Sequence, residues 1–205
     1  MQKELYPVDG TMYGGRQHNV RKISTRNTKS MGRRRSVSLM KEKFVKFFMR
    51  VAEETATLSY ATRLKVGAVI VKDKNIISFG YNGTPEGMDN SCESIDFIAD
   101  NTELVYDEMV SQGYTFGAYK DTAGWVKSKT KPEVIHAEAN AITKLARQGG
   151  SGEGSTLFLT HAPCIECSKM IIQAGIKTVY WKIPYRESSG LDLLHKAGVT
   201  IFKTE

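Results

Sequence analysis

Residues 155–181 read STLFLTHAPCIECSKMIIQAGIKTVYW. Two short apolar runs within it, Ser155–Thr160 and Ile176–Trp181, are rich in β-branched and aromatic residues and predict strands. Between them Cys164–Ala174 predicts a helix, with Gly175 at its C-terminal cap. The alternation continues outward. Upstream, His136–Arg147 (HAEANAITKLAR) predicts a helix stopped by Gly149-Gly150; downstream, Leu191–Lys196 predicts a short helix and Val199–Phe202 a last strand. Nearer the N-terminus, Val66–Val71 and Ile76–Tyr81 predict a hairpin across a polar turn, and Asn82-Gly83-Thr84-Pro85 breaks the sheet. Residues 42–60 predict an amphipathic helix with Phe44, Phe47, Phe48, Val51 and Ala52 on its inner face. Helices alternating with short apolar strands point to an α/β sheet covered on both faces.

Two stretches depart from this rhythm. Residues 84–133 carry ten acidic and four basic side chains and few strand signals. Ser94–Gln112 is expected as an exposed helix with Ile95, Ile98, Val105 and Met109 inward, and Gly113–Pro132 as a loop. The stretch reads as an insertion inside one domain. The second departure is at the N-terminus. The chain has 205 residues and a formal net charge of +7. Residues 1–38 hold nine basic and two acidic groups and so account for the whole imbalance, while residues 39–205 are neutral. Residues 1–38 therefore read as a basic, flexible leader and 39–205 as the folded domain. A leader of this kind is either an arm for a polyanion or a solvated tail; the tail is the favoured reading, and the neutral body argues against a nucleic-acid binder. No apolar stretch approaches the ~20 residues that span a bilayer. The first residues lack the apolar core of a secretory signal, and three cysteines cannot make a disulfide framework, so an intracellular, reducing, cytoplasmic setting is expected.

The chemistry sits at two expected helix starts. His136-Ala137-Glu138 opens one helix and Pro163-Cys164-Ile165-Glu166-Cys167 opens the other. Residues i and i+3 share a helix face, so Cys164 and Cys167 can grip one ion, and thiolates are favoured at a helix N-terminus. The imidazole of His136 adds a third ligand, and two sulfurs with one nitrogen suit zinc. Three protein ligands leave a fourth position for water, the mark of a catalytic site. Two thiolates neutralise a dication, so the water needs a nearby base, and Glu138 is the candidate. Taken alone, P-C-x-x-C also fits a redox pair or a structural zinc corner, for which Cys92 and His161 are the nearby fourth ligands by type. The joint pattern is the signature of zinc nucleobase deaminases.

The chain resembles the cytidine deaminase superfamily and, within it, the deoxycytidylate (dCMP) deaminases. The resemblance runs from about residue 42 to 204, and its stretches are Lys65–Ile70 (KVGAVI), Gly80–Pro85 (GYNGTP), His136–Ile142 (HAEANAI), Pro163–Cys167 (PCIEC) and Gln173–Lys177 (QAGIK). It implies a cytidine deaminase-like fold: α/β, three-layer α/β/α, with a five-stranded mixed sheet. It implies one catalytic Zn(2+) per chain held by His136, Cys164 and Cys167, with Glu138 as the proton shuttle. The backbone N–H groups of Ala137 and Cys164 would point near the attacking oxygen and the pyrimidine O2, and the carbonyl of Ala162 would accept from the exocyclic amine. Asn82 would bind the deoxyribose 3′-hydroxyl; as a turn asparagine before glycine it also has a purely structural reading. Arg63, Tyr185 and Arg186 would hold the phosphate. His161 would stack on the base or support the phosphate, or be an ordinary strand-end histidine. Cys92 is expected as a free thiol.

The expected reaction is hydrolysis of dCMP to dUMP and ammonia, feeding thymidylate synthesis. Action on dCTP as well, a polynucleotide deaminase and a non-catalytic zinc-stabilised module are the alternatives. Resemblance further implies a homo-oligomer, with a hexamer favoured. It also implies allosteric dCTP and dTTP effectors near the loop from Asn82 to Gly87, with Arg147 at the subunit contact.

Overall fold

The computed structural model describes residues 40–99 and 106–205; the leader 1–38 lies outside them. In chain order the elements are α1 (Glu42–Thr57), β1 (Gly67–Lys72), β2 (Asn75–Tyr81), β3 (Glu93–Ala99), α2 (Tyr106–Ser111), β4 (Thr115–Tyr119), β5 (Thr122–Thr130), α3 (Ala137–Arg147), β6 (Thr156–His161), α4 (Ile165–Gln173), β7 (Thr178–Ile183), α5 (Ser189–Lys196) and β8 (Thr200–Lys203). Five strands form one sheet in the order β2-β1-β6-β7-β8. β1 runs antiparallel to β2 and β6, while β6, β7 and β8 are parallel, so the sheet is mixed.

Successive side chains of a strand face opposite sides of the sheet, and this alternation builds two cores. Ala68, Ile70, Leu157, Leu159, Val179 and Trp181 point to one side, where Ala137, Ala141 and Leu145 of α3, Ile171 of α4 and Leu194 of α5 cover them. Val69, Val71, Phe158 and Tyr180 point to the other, against Val45, Phe48, Met49 and Ala52 of α1. Burying each large side chain contributes about 1.5–3 kcal/mol. The result is the three-layer α/β/α sandwich that the sequence implied. Within α1 the inner face is turned relative to expectation. Val45, Phe48, Met49, Ala52 and Ala56 are buried, whereas Phe47 is 54% exposed. A glycine explains the tight seat of this helix: a Cβ at Gly67 would lie 2.0 Å from the Ala52 carbonyl oxygen.

The segment 84–133 differs from its expected form. Residues 93–99 make a strand, and among the described residues of the expected Ser94–Gln112 helix Tyr106–Ser111 is helical, while Val105 lies outside the described residues; the expected loop Gly113–Pro132 contains β4 and β5. The three strands make a second antiparallel sheet in the order β3-β5-β4. Met109, Tyr114 and Trp125 form its small core, with Ile98 packed against them. Ile95, expected inward, is 42% exposed. The hairpin β4–β5 turns through Lys120 and Asp121, both with positive φ (48° and 65°). That is the two-residue primed turn matched to strand twist, built here without Gly or Asn.

Candidate active site

Ligand crevices in α/β sheets open at the carboxyl ends of parallel strands, where connections leave the sheet. β6 ends at His161 and runs through Ala162-Pro163 into α4; β7 ends at Ile183 and runs into Pro184-Tyr185-Arg186. The Ala162 N–H donates to the Ile183 carbonyl at 2.9 Å and ties the two exits together. The start of α3 meets them from the side. Gly83 and Ile135 exchange two backbone hydrogen bonds (3.1 and 2.8 Å) directly before His136. Asn140 donates to the Tyr81 carbonyl at 2.8 Å, and Ser78 to the Ala141 carbonyl at 2.7 Å. The first half of α3 is therefore bolted to β2.

Two helix N-termini converge here. His136 caps α3 and Cys164 caps α4, each with extended backbone, and Cys167 follows in the first turn of α4. Their positive dipole ends favour anionic sulfur. The His136 Nδ1 atom lies 3.5 Å from the Cys164 Sγ and 3.4 Å from the Cys167 Sγ. All three ligand atoms fall within 4.8 Å of one another. Around a tetrahedral zinc with Zn–N of ~2.1 Å and Zn–S of ~2.3 Å, a nitrogen–sulfur edge is about 3.6 Å. The donor set and its spacing thus fit zinc. Among the described residues this is the cluster able to hold a metal, and neither Cys92 nor His161 belongs to it. Cys92, directly before β3, is a free, buried cysteine.

Electrostatics agree with the geometry. The Cys167 hydrogen bond and the one from His136 hold the Cys164 thiol down to about 3. The same sulfur contact, together with burial, pushes Cys167 up. Both thiols must be ionised to hold a metal, so a dication that binds here displaces their protons. The Cys164 contact raises His136. Glu138 is 4% exposed in the first turn of α3, and its burial raises its carboxyl above the usual range. A carboxyl displaced toward neutrality is suited to both taking and giving a proton.

Above the ligand cluster opens a cavity of about 390 Å³. Nine of the ten residues singled out from the sequence line it: Arg63, Asn82, His136, Ala137, Glu138, Ala162, Cys164, Tyr185 and Arg186. The tenth, Cys167, lies below them, 3% exposed. Asn82 serves two ends. Its Oδ1 accepts the Val66 N–H at 2.7 Å and its Nδ2 donates to the Leu64 carbonyl at 2.8 Å, which fixes the loop before β1. One amide proton and one lone pair remain for a ligand. Arg186 sits 6.0 Å from the Tyr185 ring centroid, so the aromatic face orients the guanidinium. His161 lines the cavity as well, and burial lowers its pKa. Thr160 Oγ1 lies 3.0 Å from its Nδ1 and also accepts the Gly67 N–H at 3.1 Å. Among the lining residues that the sequence reading did not single out are Glu93 and Thr130. They belong to the segment read as a peripheral insertion, where the only signal was an excess of acid. Arg147, on α3, pairs with Glu86 at 2.8 Å, both side chains exposed.

A helix-capped His-Cys-Cys cluster beside a buried carboxyl, at the rim of a mixed five-stranded sheet, defines the zinc-dependent base deaminases as a class. The chain belongs to the cytidine and deoxycytidylate deaminase family, whose zinc-binding region matches residues 42–183. It is 38% identical over 167 residues to the deoxycytidylate deaminase of Enterobacteria phage T4, covering 74% of this chain and 83% of that one. It is 35% identical over 160 residues to ComE operon protein 2 of Bacillus subtilis, covering 78% and 70% respectively. Among solved structures it resembles the dCMP deaminase of cyanophage S-TIM5 in complex with dCMP and dUMP. That match has a TM-score of 0.62 at 36% identity and covers 81% of this chain and all of the other. Among the described residues no helix is long and apolar enough to cross a membrane.

Proposed function

We propose that this chain is a zinc-dependent hydrolase that converts dCMP to dUMP and ammonia. The observation that carries the reading is the meeting, in one cavity, of the His136–Cys164–Cys167 cluster, the buried Glu138 and two arginines, Arg63 and Arg186. Relatives named deoxycytidylate deaminase and a neighbour solved with dCMP and dUMP support the choice of nucleotide. Zinc held by the three ligands would act as a Lewis acid that eases deprotonation of a water. Glu138 takes that proton and places it on N3 of the pyrimidine. The ring carbon C4 becomes electron-poor and the water oxygen bonds to it; Glu138 then takes the remaining proton from that C4 hydroxyl and delivers it to the amine, which leaves as ammonia as the C4–N bond breaks and the C4 carbonyl forms. The Ala137 and Cys164 N–H groups, at the two helix starts, orient the ring, and the Ala162 carbonyl accepts from its amine. Asn82 offers its remaining amide proton and lone pair to the 3′-hydroxyl. Arg63, Tyr185 and Arg186 take the phosphate through charge-assisted bonds.

The product dUMP supplies thymidylate synthesis, a cytoplasmic task in this reading. Family resemblance supports a homo-oligomer, hexameric by preference, with dCTP and dTTP acting near the Asn82–Gly87 loop; sedentary monomers at working concentration would refute it. Deletion of residues 1–38 is expected to leave turnover intact. The decisive experiment incubates the zinc-loaded protein with dCMP, dCTP, deoxycytidine and a cytosine-containing oligonucleotide and measures ammonia. Release from dCMP is expected; release from the oligonucleotide alone, or from none of them, overturns the proposal.

A further inference from the structure

The second sheet reaches the cavity at one edge. Glu93, the first residue of β3, and Thr130, the last of β5, are opposite one another in the ladder, and both line the cavity. The Glu93 carboxylate accepts the Thr62 N–H (3.1 and 3.2 Å to its two oxygens) and the Arg63 N–H (3.2 Å). Thr130 Oγ1 accepts from Nη1 of Arg63 at 3.3 Å. One cross-strand pair therefore holds both the backbone and the head of Arg63. This arginine needs such support, because it lies in the irregular stretch between α1 and β1, outside any ladder.

We propose that the Glu93–Thr130 pair is a positioning device that aims Arg63 at the phosphate of the bound nucleotide. The inference rests on the reading of Arg63 as a phosphate contact. Its chemistry is specific. A carboxylate beside a phosphate site repels the ligand unless its charge is engaged, and here both oxygens face backbone N–H groups. Glu93 thereby fixes Arg63 without occupying the guanidinium, as a direct ion pair would. Thr130, a neutral acceptor, takes one of the five guanidinium donors and leaves the remainder of the fork free. The sheet of β3, β4 and β5 is on this account part of the substrate pocket, and Glu93, in the sequence only one of ten acids of the segment 84–133, is one of its anchors.

The test compares the full-length zinc-loaded protein with Glu93→Ala, Thr130→Val, Arg63→Ala and the double variant Glu93→Ala/Arg63→Ala. Zinc content and melting temperature are checked for each. Both Glu93→Ala and Thr130→Val are expected to raise KM for dCMP, Glu93→Ala by about tenfold, with kcat within about twofold of wild type. Arg63→Ala is expected to raise it at least as far, and the double variant no further than Arg63→Ala alone, because a residue acting through another is not additive with it. Additive effects of Glu93→Ala and Arg63→Ala, or unchanged KM in both Glu93→Ala and Thr130→Val, overturn the inference while Arg63 keeps its role. An unchanged KM in Arg63→Ala removes the phosphate reading, and the inference with it. Should Glu93→Ala fail to fold, Thr130→Val decides by the same KM comparison, since it removes the guanidinium contact at an exposed strand end.

Discussion

Gly80 and Ala137 meet backbone to backbone. A Cβ at Gly80 would lie 2.4 Å from the Ala137 carbonyl oxygen and 2.4 Å from the Ala141 nitrogen. The start of α3, which carries His136 and Glu138, is thus placed by the absence of a side chain on β2. Neither partner atom can yield by changing a rotamer. Gly80→Ala must push α3 outward, at a cost of about 1–3 kcal/mol for overpacking. We expect a lower melting temperature together with weaker zinc retention, read by thermal unfolding and by metal analysis after dialysis. Wild-type values for both would show that Gly80 does not set the helix.

That contact also shows why much of the site was legible in the sequence. The stretches GYNGTP, HAEANAI and PCIEC are each local, and each places its residues at a strand end or helix start whose position the sheet dictates. The five-stranded sheet was readable for the same reason, since β-branched runs alternate with helical ones. The other sheet was not. In Glu93–Ala99 the apolar residues Ile95, Phe97 and Ile98 satisfy both a strand and a helix period, and charged neighbours hide the strand. Its hairpin turns on Lys120 and Asp121, which carry no turn signal of the Asn-Gly kind. Glu93 and Thr130 could not be assigned to the cavity without that sheet. Phe47 looks inward in the sequence because Phe47, Phe48 and Met49 are adjacent, so two neighbouring faces of α1 look equally apolar; packing on Val69 and Phe158 selects the face of Val45, Phe48 and Ala52.

Glu138 is expected to carry the protons and not the metal. Its carboxyl is buried beside the cluster, while the three ligand atoms come from other side chains. Glu138→Gln keeps the shape and removes the base. Turnover should fall by about 10²–10⁴-fold, the range for loss of a positioned acid–base group. Zinc content should stay at the wild-type level. Retained turnover would mean that another group moves the proton.

Removal of the metal should act on structure and activity together. His136 caps α3 and Cys164 caps α4, so one ion would clamp two helices that meet at this corner. Dialysis against a chelator is expected to abolish ammonia release and lower the melting temperature, and added zinc should restore both. His136→Ala should do the same without rescue by zinc, because a site reduced to two sulfurs lacks the third protein ligand. Full activity in chelator-treated protein with no residual metal would exclude the zinc chemistry.

Arg186 is expected to read charge and not the base. It lies on the exit from β7, at the mouth of the cavity, with its guanidinium held over the Tyr185 ring. The cluster and Glu138 sit on other elements, so Arg186→Ala should leave zinc content and kcat near wild type. A lost charge-assisted bond to phosphate corresponds to about 1.5–3 kcal/mol, or roughly ten- to hundredfold in KM for dCMP. Arg186→Lys should recover only part of this, because an ammonium cannot make the forked contact. The companion measurement is inhibition by dUMP and by deoxyuridine, which differ only in the phosphate. Weakened dUMP binding with unchanged deoxyuridine binding is the expected pattern. Equal weakening of both would move Arg186 from the phosphate to the shape of the pocket as a whole.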